Sequence, residues 1–284
     1  WQSPPGCAGH PVVIPFGMDL IRPLLDTLAA LENAILGYSG GVDSSLLAVA
    51  ARRALGRDRF LAVIGRSASY PAVQYAQAVG LARQFDIPLL ELDTQELADA
   101  RYRANAPDRC FYCKHELWSE LTSLATERGF SCILDGTNAS DTGEHRPGMR
   151  AAAQFQVRSP LAELGWTKAQ VRQASRALGL PNWDAPAAPC LASRIRYGVE
   201  VTPERLEQVE RAEELVRALG VRGNLRVRHL DTTARIEVDA EEMEIVRAHW
   251  DVIEHGIAAL GFEALELDER GYRRGALLSM TDAR

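Results

Sequence analysis

Residues 38–46 read Tyr-Ser-Gly-Gly-Val-Asp-Ser-Ser-Leu and lie between two apolar runs. Upstream, Ala34, Ile35 and Leu36 form a short run of strand type. Downstream, Leu46, Leu47, Val49 and Ala50 begin a helical stripe that reaches Leu55. Gly40 and Gly41 let the backbone approach an anion with no Cβ in the way. The start of the helix offers unpaired N–H groups and the positive end of its dipole. Ser39, Ser44 and Ser45 add hydroxyls, and Asp43 is placed to cap the helix or to face a magnesium ion. A Walker A loop would need a lysine after its glycines, and none follows here. A glycine turn ahead of a capped helix is the plainer reading. The full Ser-Gly-Gly-Val-Asp-Ser pattern in a strand-to-helix setting favours a pyrophosphate-binding loop.

At 284 residues the chain can bury a full core and divides into two domains. Hydrophobic residues make up 46% and charged residues 25%, as in ordinary globular proteins. No apolar run approaches the length of a membrane span. The net charge of −6, without a basic tail, weighs against a nucleic-acid partner. Five cysteines at uneven spacing do not make a disulfide framework, which fits a reduced, cytoplasmic setting. The sequence opens on Trp1. Residues 1–17 carry Pro4, Pro5, Gly6, Pro11, Pro15 and Gly17 and lack a basic start before an apolar stretch. They read as a disordered extension and not as a signal peptide.

Residues 18–180 form the first domain, in which strands and helices alternate. Strands are expected at 60–64, 88–92 and 132–134, with helices at 71–85 and 116–125. The alternation implies an α/β fold, a doubly wound parallel sheet whose ligands sit at the carboxyl ends of its strands. The glycine loop lies at such an end. So do Arg66 and Ser67, placed near the adenosine of a bound nucleotide, and the Asp135-Gly136-Thr137-Asn138 segment. Thr137 and Asn138 complete the nucleotide-binding candidates.

Residues 181–200 make a Pro-rich connector with Pro181, Pro186 and Pro189 before Cys190. A second domain, 201–284, then reads helix, strand, strand, helix, strand: a small α+β unit. Thr202-Pro203 caps its first helix, and Leu206, Val209, Ala212, Val216 and Leu219 mark that helix's buried stripe. The segments 225–228 and 235–238 alternate as half-buried strands. A helix is expected at 241–259.

Cys110 and Cys113 form a Cys-x-x-Cys pair, and Cys190 follows in the connector. Such a pair alone is open between half a zinc site, a redox pair and iron–sulfur ligation. Cys132 falls in a strand and Cys7 in the N-terminal tail, so neither offers a fourth ligand. Three thiolates with one open position suit a cubane cluster, and three unrelated thiols remain the bland alternative. Arg226 and Arg228 share one face of a strand, and Glu237 lies on the polar face of the next. That pattern is usually a solvated sheet face, and equally suits carboxylate or phosphate binding.

The glycine loop resembles that of the PP-loop ATP pyrophosphatases, which cleave ATP between its α and β phosphates. Over residues 33–275 the chain resembles the LarE family, ATP-dependent sulfur transferases of nickel-pincer nucleotide biosynthesis. The resemblance rests on Ser39 to Ser44, Ser69-Tyr70-Pro71, Pro107 to Lys114 and Asp135 to Asn138. It continues through Arg146-Pro147-Gly148, Arg158 to Leu161, Cys190-Leu191-Ala192-Ser193-Arg194, Leu225 to His229, Arg235 to Val238 and Gly271-Tyr272-Arg273. The Cys190 to Arg194 stretch with Tyr197-Gly198 is the most specific element. Arg196 stands where the family often has proline.

The resemblance implies that ATP adenylates the carboxylates of a pyridinium-3,5-biscarboxylic acid mononucleotide, and that sulfur then displaces AMP. Members with a lone cysteine at the position of Cys190 sacrifice its sulfur. Members that also carry the pair hold a [4Fe-4S] cluster on three cysteines, which points to Cys110, Cys113 and Cys190 here. Mg2+ would accompany ATP at Asp43. The substrate's phosphate and carboxylates are expected at Arg226, Arg228 and Arg273, with Arg194, Glu214 and Glu237 as accessory groups. Expected partners are the nucleotide substrate, other enzymes of the cofactor pathway and further copies of the chain, with no nucleic acid or membrane. A tRNA thiolase would need an RNA-binding module, which the sequence lacks. A nucleotide-binding regulatory module that never turns ATP over is the rival from outside enzymology.

Overall fold

A computed structural model describes residues 17–141, 147–273 and 275–277. Cys7, Arg146 and Arg274, and the expected extension apart from Gly17, lie outside the described residues. The first sheet holds β1 (Ala34–Gly37), β2 (Phe60–Arg66), β3 (Leu89–Asp93) and β4 (Ile133–Leu134), all parallel, in the order β3-β2-β1-β4. Alternate residues of these strands enter different cores, as the two-residue period of a strand requires. Leu36, Ala62, Ile64 and Leu134 pack with the helices Arg22–Ala29, Val42–Leu55 and Lys168–Ala177. Ile35, Val63 and Ile133 face Trp118, Leu121 and Ala125 of the helix Arg109–Arg128. Helices thus cover both faces of the sheet.

The chain builds outward from β1 to β2 and β3, then crosses back to place β4 on the other side of β1. The strand order reverses beside β1, so the crevice at its carboxyl end is where an open α/β sheet binds ligands. The glycine loop occupies that crevice. Its helix, Val42–Leu55, ends at Gly56, whose φ of 77° stops it.

The second sheet is smaller. β5 (Leu225–His229) pairs antiparallel with β6 (Thr233–Val238), and β7 (Ala264–Leu267) runs parallel to β6. Leu225, Val227, Ile236 and Val238 bury against Val216 of the helix Pro203–Ala218 and Ile253 and Ile257 of the helix Trp250–Ala259. Among the described residues no helix is long and apolar enough to cross a membrane.

Three expectations change in detail. The helix expected at 116–125 runs from Arg109 to Arg128, so Cys110 and Cys113 sit inside its first turns instead of preceding it. The helix expected at 241–259 breaks at His249, between Met243–Ala248 and Trp250–Ala259. There the backbone leaves helical geometry (φ −112°, ψ 18°), and the His249 Nδ1 lies 2.9 Å from the Ile245 carbonyl. The third concerns β5, which is buried along its whole length. Arg226, Arg228 and Glu237 therefore do not form a solvated face: the two arginines donate to carbonyls of the 181–200 connector, and Arg228 holds Glu237.

Candidate active site

Gly40 is held at φ 65°, where an L side chain is strained, and a Cβ there would collide with Ala78 of the helix Ala72–Gln84. Glycine is therefore required by shape as well as by backbone. A Cβ on Gly136, at the end of β4, would lie 2.8 Å from the Ser44 nitrogen. The β4 loop thus packs directly on the first turn of the Val42–Leu55 helix. Ser44 Oγ closes the loop on itself, accepting from Ser39 N at 3.2 Å and lying 3.0 Å from Ser39 Oγ. Ser39 and Gly41 are exposed at the mouth, whereas Ser44 and Ser45 are buried. Ser45 accepts from Asn182 Nδ2 at 3.1 Å, and the same amide donates to the Gly40 carbonyl at 2.9 Å.

Asp43 is tied from two sides. Asn138 Nδ2, from the β4 loop, donates to Oδ1 at 3.1 Å. Lys168 Nζ reaches Oδ2 at 2.5 Å. Lys168 opens the helix Lys168–Ala177, whose capping box of Thr167 and Gln170 fixes its start. The cation missing after the glycines is thus delivered by a distant helix. Thr137 donates to Asp135 through both N (3.0 Å) and Oγ1 (2.9 Å), which shapes the loop. Asp43 suits magnesium, an ion that takes one or two carboxylates together with substrate phosphates.

Arg66 and Ser67, at the carboxyl end of β2, line a cavity with Tyr70, Ala72 and Tyr75. Arg66 is exposed and pairs with Asp93 at 2.7 Å. Ser67 Oγ lies 2.8 Å from Ser69 Oγ, and Ser69 donates to the buried Glu96 at 3.0 Å. Tyr70 OH donates to the Ser39 carbonyl at 2.8 Å, which joins this cavity to the glycine loop.

The three expected cysteines gather in one region. Cys113 and Cys190 pack against a common apolar cluster that includes Tyr102, Leu191, Ala192 and Ile195. Cys110 is exposed. Burial pushes the Cys113 thiol up, and the neighbouring Glu96, Cys190 and Cys110 add to the push, so the thiols share one electrostatic neighbourhood. In kind, this donor set suits an iron–sulfur cluster. In position, no three His, Cys, Asp or Glu side chains form a metal-holding group among the described residues.

The connector that carries Cys190 is anchored at several points. The Leu191 N–H donates to the Ser69 carbonyl at 2.7 Å. Arg194, 2% exposed, forms a fork with Glu213 (2.9 and 3.1 Å) and donates to the Cys190 carbonyl at 2.9 Å. Arg226 donates to the Ala187 carbonyl at 2.9 Å and stacks on Tyr272. Arg228 pairs with Glu237 at 2.7 Å and donates to the Ser193 carbonyl at 3.0 Å. Burial, with Arg194 and Arg228 nearby, pushes the Arg226 guanidinium pKa down. Here three guanidinium groups meet two carboxylates, so the cluster holds surplus positive charge. Two expected members stand apart: Glu214 and Arg273 are both exposed, with Arg273 3.7 Å from Asp268. Sequence reasoning missed Lys168, Asn182 and Glu213. The Gly165-Trp166-Thr167-Lys168 turn with its cap was the available signal for the first.

A parallel sheet with a glycine loop at its reversal point defines an α/β protein of the PP-loop class. The NAD synthase family matches residues 17–113. An uncharacterized protein of Synechocystis is 40% identical over 249 residues, covering 87% of this chain and 92% of that one. The pyridinium-3,5-bisthiocarboxylic acid mononucleotide synthase of Lactiplantibacillus plantarum is 32% identical over 254 residues, covering 89% and 92%. One subunit of the glutamine-hydrolyzing GMP synthase of Pyrococcus furiosus is 26% identical over 277 residues, covering 82% and 85%. The chain belongs to the family of the Lactiplantibacillus synthase, the LarE family.

Proposed function

We propose that this protein is an ATP-dependent sulfur transferase that converts the carboxylates of pyridinium-3,5-biscarboxylic acid mononucleotide to thiocarboxylates, in nickel-pincer cofactor synthesis for lactate racemase maturation. One observation carries the reading. The connector bearing Cys190 is hydrogen-bonded to both nucleotide-side loops, through Asn182 to the Gly40 carbonyl and through the Leu191 N–H to the Ser69 carbonyl. A sulfur-bearing residue tethered to a PP-loop is what adenylation followed by sulfur attack requires.

In this reading the backbone N–H groups at Gly40 and Gly41 and the Ser39 hydroxyl bind the ATP phosphates. Lys168 offsets charge on the departing pyrophosphate, and Asp43 would hold Mg2+. Arg66 and Ser67 lie beside the adenosine, with Thr137 and Asn138 shaping the opposite wall. A substrate carboxylate oxygen attacks the α-phosphorus, the bond to the β-phosphate oxygen breaks, and pyrophosphate leaves. Hydrosulfide then adds to the acyl carbon. The bond from that carbon to AMP breaks, and the thiocarboxylic acid loses its proton. Cys110, Cys113 and Cys190 would hold a [4Fe-4S] cluster, which supplies bound hydrosulfide when present. The surplus positive charge among Arg194, Arg226 and Arg228 supports an anionic substrate at the second sheet, since a charge taken from water must be paired.

Exchange of labelled pyrophosphate into ATP, dependent on the biscarboxylate mononucleotide, tests the first half. Thiocarboxylate formation read by mass, with sulfide supplied anaerobically, tests the second. Exchange without any thiocarboxylate would overturn the sulfur assignment, and no exchange would overturn the whole.

A further inference from the structure

Arg109 opens the helix Arg109–Arg128, directly before Cys110, and is 2% exposed. Its Nη1 donates to Asn105 Oδ1 and, at 2.8 Å, to the carbonyl of Ala192, two residues past Cys190. Asn105 is fully buried at φ 53°. Its amide donates to the carbonyls of Ile195 (3.2 Å), Arg196 (2.9 Å) and Val199 (2.8 Å). The pair therefore fastens the Cys190 loop to the helix turn that carries Cys110 and Cys113.

These hydrogen-bond partners are all neutral. Among the described residues Arg109 has no carboxylate partner, and its ionisable neighbours are Cys190, Cys110, Tyr102 and Tyr197. A guanidinium does not shed its proton, and burying an unpaired charge is costly. A buried arginine facing thiols and phenols marks a place built to hold negative charge.

We infer that Arg109 is a positioning residue of the sulfur site, fastening the Cys190 loop to the Cys110–Cys113 turn and keeping one fixed positive charge beside it. The inference rests on the proposed sulfur transfer and deepens it. Asn105 sets the guanidinium, the guanidinium sets the Cys190 loop, and both hold that loop against the turn of Cys110 and Cys113.

Parallel alkylation of the reduced, metal-free protein with iodoacetate and iodoacetamide tests this, with each cysteine read by mass. Both reagents consume the thiolate, so their rate ratio cancels the thiolate fraction and reports local charge. The expected ratio of anionic to neutral reagent at Cys110 and Cys190 is at least about threefold higher in the folded protein than in urea. Arg109→Lys keeps that preference, and Arg109→Gln brings it to the unfolded value. A folded wild-type ratio equal to the unfolded one overturns the inference without any variant. A folded Arg109→Gln protein with an unchanged ratio does so as well. No ATP or carboxylate substrate enters the assay, so a failure of sulfur transfer would strike the proposed function and leave this ratio untouched.

Discussion

Lys168 and Asp43, 125 residues apart in the chain, form a 2.5 Å ion pair at the mouth of the glycine loop. The pair holds a cation where phosphate charge would gather. Under the proposed function, a bound nucleotide would compete with Asp43 for the ammonium, and magnesium would compete with the ammonium for Asp43. On that reading, the two side chains would be stored against each other until ATP binds.

Lys168→Met is expected to cut pyrophosphate exchange by about 10- to 100-fold, the worth of a charge-assisted hydrogen bond to phosphate. The thermal midpoint should move little, since the pair is only part-buried and stays partly screened by water. Asp43→Asn is expected to weaken magnesium-dependent AMP formation while leaving the fold intact. Titrating exchange rate against ATP and against Mg2+ separates the two variants. Wild-type rates in Lys168→Met would remove the lysine from the phosphate site.

Arg228 and Glu237 are buried together, and among the described residues one Glu237 oxygen has no hydrogen-bond partner. Removing one partner strands a buried charge, so Arg228→Met should cost about 3–5 kcal/mol in urea unfolding. The double variant Arg228→Met with Glu237→Leu should recover most of that loss. If it folds, it also isolates the binding role: its requirement for the nucleotide substrate should rise far more than its requirement for ATP. Equal losses for both ligands would deny Arg228 a part in substrate binding.

The first sheet and its nucleotide loop were legible because their signals are local. A strand, two glycines and a capped helix occupy one short stretch, and the sheet's alternation repeats it. What escaped is carried by contacts between distant segments. Asn182 meets Gly40 across 142 residues, and Lys168 meets Asp43 across 125. Strict alternation in β5 read as a half-solvated strand because nothing local to Arg226 and Arg228 announces the connector whose carbonyls they bond. Charged side chains on a strand face look alike in sequence whether water or a buried carboxylate receives them. Glu213 and Glu214 are adjacent in one helix, and only the packing of that helix decides that Glu213 takes Arg194.

His229 should make stability depend on acid. It is buried against Phe262, its Nε2 lies 3.0 Å from Gln208 Oε1, and its Nδ1 has no partner among the described residues. Burial, with Arg205 nearby, pushes its pKa down from 6.5 to about 4. The folded state thus favours the neutral ring and the unfolded state binds the proton more tightly. This contribution is fully present above pH 6.5 and is lost as pH falls toward about 4, at up to ~1.4 kcal/mol per pH unit. Urea midpoints measured across that window should slope less in His229→Gln than in the wild type. Parallel slopes would show that the imidazole takes up its proton equally in the folded and unfolded states.

The cysteines separate two ways of moving sulfur. If Cys110, Cys113 and Cys190 act together, each single Cys→Ala change abolishes repeated turnover with added sulfide, because the remaining pair cannot replace the third ligand. If Cys190 alone gives up its sulfur, only Cys190→Ala is inactive, and the wild type stops after one sulfur per chain. In that case the spent chain becomes lighter by the mass of hydrogen sulfide, as Cys190 loses sulfur and becomes dehydroalanine. Pyrophosphate exchange should survive in all three variants, since adenylation needs no thiol. The position of Cys113 in the same apolar cluster as Cys190 favours the shared site. A Cys113→Ala protein that still turns over repeatedly on sulfide would defeat it, and counting product per chain under anaerobic conditions decides the matter.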